Sequence, residues 1–216
     1  MVFDGQQKSL KEAAERYAQE ISAETLAVLD ARGISEEVAA KYRLGTVTDP
    51  ATGHEAHEGW LSIPYFTASD ICVGFKFRRL DDAKPKYGSP TGQKTHLYNV
   101  SDVLIDSSFI VVCEGELDTV IVSGVLGIPA VGSPGVAAWK PWYPRLLLGY
   151  DTVFIAGDND EREDKEENPG QLFSKRVASE VANSTVVSLP AGMDITDYYL
   201  QYGHDATRRL LVGERK

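Results

Sequence analysis

From Ser108 onward, short apolar runs alternate with helical stretches, and this alternation constrains the fold more than any other feature of the chain. Phe109 to Cys113 and Thr152 to Ala156 are continuous apolar runs of strand length, as expected for strands buried on both faces. Ile128 to Val131 and Thr185 to Leu189 read as two further strands. Between and after them, Glu116–Val125, Ala137–Leu148, Gln171–Val181 and Asp194–Tyr202 read as helices. Strand and helix in regular alternation predict a parallel sheet covered by helices.

The first half reads differently. Ser9 to Tyr17 is rich in helix formers. Ser22 and Ser35 each stand where a helix N-cap belongs, and Gly33 stops the helix between them. A helical hairpin is therefore expected, followed from Gly45 to Asp106 by strands and turns. Trp60–Phe66 and Ile71–Arg78 form a hairpin across Thr67–Asp70. Alternation puts Val73, Phe75 and Phe77 on one face of the second strand and Gly74, Lys76 and Arg78 on the other. Asp81 to Thr95 reads as loop. The expected fold class is α/β, with a small helical and mixed α/β subdomain over residues 1–106 and a domain with a parallel, helix-covered sheet over 107–213.

Composition sets limits. Of 216 residues, 43% are hydrophobic and 25% charged, with 19 Gly and 10 Pro, so the chain is neither low-complexity nor wholly disordered. No apolar stretch has the length of a membrane span, and Met1–Lys11 lacks the apolar run of a secretory signal. The expectation is a cytoplasmic protein with no membrane partner. The two cysteines, Cys72 and Cys113, lie in apolar runs and are expected to be buried thiols. The formal charge of −10 argues against coating nucleic acid by bulk electrostatics. Against that background, Lys76, Arg78, Arg79, Lys84, Lys86 and Lys94 make a local basic patch.

In open parallel sheets, ligands gather at the carboxyl ends of the strands. Here the first long strand runs into Glu114-Gly-Glu-Leu-Asp118, and the third into Asp158-Asn-Asp160. If these strands are neighbours, Glu114, Asp158 and Asp160 share one rim, with Asp118 in reach from the following helix. Hard oxygen donors in this arrangement suit Mg²⁺ or Mn²⁺. His54-Glu-Ala-His57 has no further Cys or His nearby to complete a zinc site and reads as structural. Tyr87, in the basic loop, is a candidate for stacking on bases; Trp139, Trp142 and Tyr143 read as packing residues.

Val111-Val-Cys-Glu-Gly-Glu-Leu-Asp118, Val131-Gly-Ser-Pro-Gly135 and Val153-Phe-Ile-Ala-Gly-Asp-Asn-Asp160 together resemble the Toprim domain. That domain is shared by DnaG-type primases, type IA and type II topoisomerases and some nucleases. Upstream, Leu29-Asp-Ala-Arg-Gly-Ile-Ser-Glu-Glu-Val38, Val73-Gly-Phe-Lys-Phe-Arg78, Pro85-Lys-Tyr-Gly-Ser-Pro90 and Leu97-Tyr-Asn99 follow the order of the primase RNA-polymerase core. The resemblance runs from about residue 22 to 203. It departs from the family pattern where a glycine would directly follow the Asp-x-Asp; here Asn168-Pro-Gly170 comes later.

The resemblance implies a DNA primase catalytic core of phage or bacterial type. Its reaction would be metal-dependent, template-directed synthesis of short RNA primers on single-stranded DNA from ribonucleoside triphosphates. It implies catalytic metal ligands Glu114, Asp158 and Asp160, with Asp118 and Asp194 in support, and two Mg²⁺ or Mn²⁺ ions. It makes Arg78 and Lys86, helped by Lys76 and Lys94, the holders of nucleotide or nucleic-acid phosphate. The zinc-binding and helicase modules of bacterial primases have no counterpart in this sequence. A phage or split primase working with a separate zinc-binding module and a replicative helicase, in bacterial or infected-host cytoplasm, is therefore expected, as is an excised fragment. A Toprim-type nuclease and a non-catalytic replisome module are the alternative readings. A topoisomerase is disfavoured because the chain has no room for a strand-passing domain.

Overall fold

The computed structural model describes residues 4–135, 138–159 and 168–215. The chain forms two compact units, Met1–Lys94 and Thr95–Lys216.

In the first unit, α1 (Asp4–Gln19), α2 (Ala23–Asp30) and α3 (Glu36–Lys41) precede the strands. The serine caps form as expected: Ser22 Oγ accepts from Thr25 N–H at 3.1 Å and Ser35 Oγ from Val38 N–H at 3.3 Å. Strands β1 (Gly45–Thr46), β2 (Leu61–Phe66), β3 (Cys72–Arg78) and β4 (Tyr87–Gly88) make an antiparallel sheet in that order. The short β4 lies within the stretch read from sequence as loop. Where β4 is too short to cover β3, the Gln93 side chain takes its place. Its amide accepts from Phe75 N–H and donates to Phe75 C=O, both at 2.7 Å. Phe75 and Phe77 are wholly buried with Ala13, Ala14, Tyr17 and Val47, so the apolar face of α1 and one face of β3 make the core.

In the second unit, β5 (Phe109–Cys113), β6 (Ala130–Gly132), β7 (Thr152–Ala156) and β8 (Ser184–Val186) form a wholly parallel sheet in the order β6-β5-β7-β8. Helix α4 (Glu116–Val120) continues as a π-helical turn over Ile121–Val125. Helices α5 (Pro169–Glu180) and α6 (Ile195–Val212) follow, the latter interrupted at Gly203, whose φ is +78°. Ile110, Val112, Val153 and Ile155 of the central strands pack with Trp139, Phe173 and Val177.

Three expectations are corrected. The helix read over Ala137–Leu148 is only a 3₁₀ segment, Tyr143–Leu147, among the described residues, of which Ala137 is not one. Pro141 and Pro144 withhold the N–H groups that an α-helix would need there. The last helix runs ten residues beyond Tyr202, to Val212, because Gly203 absorbs a kink. Residues 95–106, read from sequence as part of the first subdomain, belong to the second unit. Tyr98 bridges to Gly132, and the Asp102 carboxylate accepts from Ser123 Oγ at 2.5 Å and Ala130 N–H at 3.0 Å.

Candidate active site

The register of β5 and β7 decides where the acids lie. Cys113 pairs with Ala156, so Glu114 and Gly157-Asp158 leave the sheet at the same level on adjacent strands. The Asp158 N–H donates to Glu114 Oε2 at 3.0 Å, which ties the two strand ends together. Asp118, 8% exposed, comes from the first turn of α4. Its Oδ2 lies over Gly115, where a Cβ would approach it to 3.1 Å, and its Oδ1 accepts from Thr196 Oγ1 at 2.8 Å. Cys113 is fully buried beneath this rim; burial pushes its thiol well up, and the negative charges of Asp118 and Asp158 push it further.

The segment carrying Asp194 is fastened to the same edge. Asn159 N–H donates to Met193 C=O at 3.0 Å, Asn159 C=O accepts from Gly192 N–H at 2.7 Å, and Asn159 Nδ2 donates to Leu189 C=O at 2.7 Å. Asp194 is the N-cap of α6: its Oδ1 accepts from Asp197 N–H at 2.7 Å in a capping box. One of its carboxylate oxygens is therefore engaged in capping. Glu116 is 2% exposed. Asp160 lies outside the described residues. Among the described residues, no three His, Cys, Asp or Glu side chains are grouped closely enough to hold a metal ion.

The basic residues of the first unit are not alike. Lys86 and Lys94 are exposed, and Lys76 Nζ stands 4.6 Å from the Tyr87 ring centroid. Arg78 is only 8% exposed, and its Nε has no hydrogen-bond partner among the described residues. Desolvation and the nearby Arg32 charge lower its pKa, and Tyr87 hydrogen-bonds it. A guanidinium that is buried, and whose neighbouring charge is of the same sign, is a local concentration of positive charge. Arg32, which belongs to the Arg-Gly dipeptide of the helical segment, is a charge near Arg78 that the sequence alone does not bring beside the basic patch. Arg79, in contrast, is committed locally, bidentate to Asp81 at 2.5 and 2.7 Å.

The His54/His57 pair is structural. His54 is 3% exposed and packs edge-on against Phe75 and Phe77, and His57 stacks on Phe77 at 4.4 Å. Trp139 and Tyr143 are core residues; Trp142 is 58% exposed. No described helix is long and apolar enough to cross a membrane.

An antiparallel unit with a buried arginine, joined to a parallel β6-β5-β7-β8 unit with acids at two adjacent strand ends, is the fold of the DnaG primase RNA-polymerase core. The chain superposes on the Aquifex aeolicus primase (zinc-binding and RNA-polymerase domains) with a TM-score of 0.77 at 20% identity. That match covers 94% of this chain and 59% of the Aquifex chain. The RNA-polymerase domain of Mycobacterium tuberculosis DnaG in complex with double-stranded DNA gives 0.76 at 21% identity, covering 98% and 81%. The DnaG catalytic domain bound to single-stranded DNA gives 0.72 at 17%, covering 94% and 79%. No family model matches the sequence. The chain belongs to the family of the Gene 57 protein of Mycobacterium phage D29, to which it is 38% identical over 154 residues, 69% of this chain and 96% of that protein.

Proposed function

We propose that this chain is a DNA primase catalytic core that makes short RNA primers on single-stranded DNA by metal-dependent ribonucleotidyl transfer. The observation that carries the reading is the Glu114–Asp158 junction on neighbouring strand ends of a primase-core fold. The donor set is hard and anionic, which fits Mg²⁺ or Mn²⁺. Glu114, Asp158 and Asp160 would hold the metal, Asp118 and Asp194 would support it, and two ions would be used. When bound, the metal would activate the primer 3′-hydroxyl and stabilise charge on the leaving pyrophosphate. Arg78, Lys86, Lys76 and Lys94, joined by Arg32, would hold phosphate, positioning the nucleic acid without reading its sequence. A structure of like fold holds single-stranded DNA, which supports a DNA template as partner. A separate zinc-binding module, a replicative helicase and the cytoplasm of a phage-infected host complete the proposed setting.

The test is primer synthesis from labelled ribonucleotides on single-stranded DNA with Mg²⁺ or Mn²⁺. Short labelled RNA is expected from the parent. Glu114→Gln and Asp158→Asn should lower the yield by about a hundredfold or more, since each removes a charged ligand of ions that contribute several kcal/mol. Metal-dependent shortening of the DNA without RNA product would instead favour a nuclease.

A further inference from the structure

Three buried threonines lie in helices of the second unit, and they spend their hydroxyl protons differently. Thr119 Oγ1 donates to Gly115 C=O at 2.6 Å and Thr207 Oγ1 to Gly203 C=O at 2.8 Å, each four residues back on its own helix. Thr196, 2% exposed, instead donates across to Asp118 Oδ1 at 2.8 Å, a partner 78 residues away. Its own helix does not need the hydroxyl, because Asp194 and Asp197 already close the first turn with a capping box. An O–H···O⁻ bond to a buried carboxylate is strong and directional. It fixes the plane of the Asp118 carboxylate and holds Oδ2 over Gly115, next in sequence to Glu114. The bond also completes a circuit around the rim: Glu114 to the Asp158 backbone, Asn159 to the 189–193 segment, Asp194 to α6, and α6 back to α4.

We infer that Thr196 is a positioning residue for the acidic rim, orienting Asp118 toward a divalent cation held by the strand-end carboxylates. The inference rests on the metal-dependent reading of that rim. Thr196 touches neither metal nor substrate; it acts through Asp118, as outer partners of metal-binding carboxylates do.

The test is Mn²⁺ binding to the full chain, read from the loss of the free-ion EPR signal and from the Mn²⁺-induced rise in melting temperature. Each variant is referenced to its own metal-free melt, so a change in fold stability does not masquerade as a change in affinity. Thr196→Val keeps the shape and removes the donor, and should weaken Mn²⁺ binding about tenfold. Thr196→Ser keeps the donor and should bind close to the parent. Thr196→Ala, smaller and also without a donor, should match Thr196→Val, and it carries the comparison if the valine variant does not fold. Parent-like binding by the donorless variants overturns the inference. So does a serine variant as weak as the valine one, which would assign the effect to the methyl group. A parent that takes up no Mn²⁺ overturns the metal reading together with the inference.

Discussion

At the residue scale, His54 carries the clearest solution signature. Tyr17 Oη accepts from Ala51 N–H at 2.8 Å, so its own proton goes to His54 Nδ1 at 3.0 Å, which needs a neutral imidazole. Burial and the His57 charge lower the His54 pKa from 6.5 to about 4. Between those values the unfolded chain takes up a proton that the folded one refuses. Stability is therefore full above pH 6.5 and falls as the pH drops toward 4, by about 3 kcal/mol at most. Burial lowers His57 in the same direction. Urea unfolding at pH 7.5, 5.5 and 4.5 checks this, and His54→Phe should flatten the slope; a slope unchanged in His54→Phe would assign it elsewhere. The sequence showed that this His pair lacked zinc partners, but not that the aromatic rings of β3 enclose it, because those neighbours lie far away in sequence. Arg78 stood out in the sequence as part of a basic motif. Its burial and its exposure to the Arg32 charge were not legible there, since both depend on chain segments far apart in sequence.

At the element scale, the four strands of the second unit were readable from apolar runs, and so was the acid at the end of two of them. Their order was not, because nothing in an apolar run says which strand it lies beside. The junction between β7 and α5 was not, because it is a backbone contact. A Cβ on Gly170 would come within 2.0 Å of Asp158 C=O, and one on Gly157 within 2.3 Å of Gly170 C=O. The glycine that the Asp-x-Asp pattern lacks nearby is thus supplied after the acidic run, and it lets α5 start against the strand end. The same backbone crowding gives a prediction. Gly170→Ala must push the strand end and α5 apart, costing about 3 kcal/mol, the upper range for overpacking, and weakening Mn²⁺ uptake. Gly149→Ala, with nothing within 4 Å, should be neutral or stabilise by up to about 1 kcal/mol. Paired denaturation curves decide it: equal midpoints for the two variants would mean the junction yields freely. Pro141 and Pro144 teach the opposite lesson, for there composition suggested a helix that local backbone chemistry forbade.

At the scale of the whole molecule, a charge of −10 has to coexist with the proposed binding of a polyanion. The general field repels DNA, so in the proposed reading attraction has to come from local cations such as those of the basic patch. Counterion release then limits the salt dependence. With Arg78, Lys86, Lys76, Lys94 and Arg32 each neutralising one phosphate of a single strand, the slope of log K against log salt should be no steeper than about −3.5. Lys86→Ala should reduce it by about 0.7 and weaken binding alike for all sequences, because phosphate contacts carry no base information. Fluorescence anisotropy with a labelled oligonucleotide between low and physiological salt measures both. A much steeper slope would require phosphate contacts beyond these five side chains, and a slope untouched by Lys86→Ala would remove that residue from the interface. A shallow slope suits the proposed primase core. It would let the template go readily between the short products that the proposed function assigns to the chain.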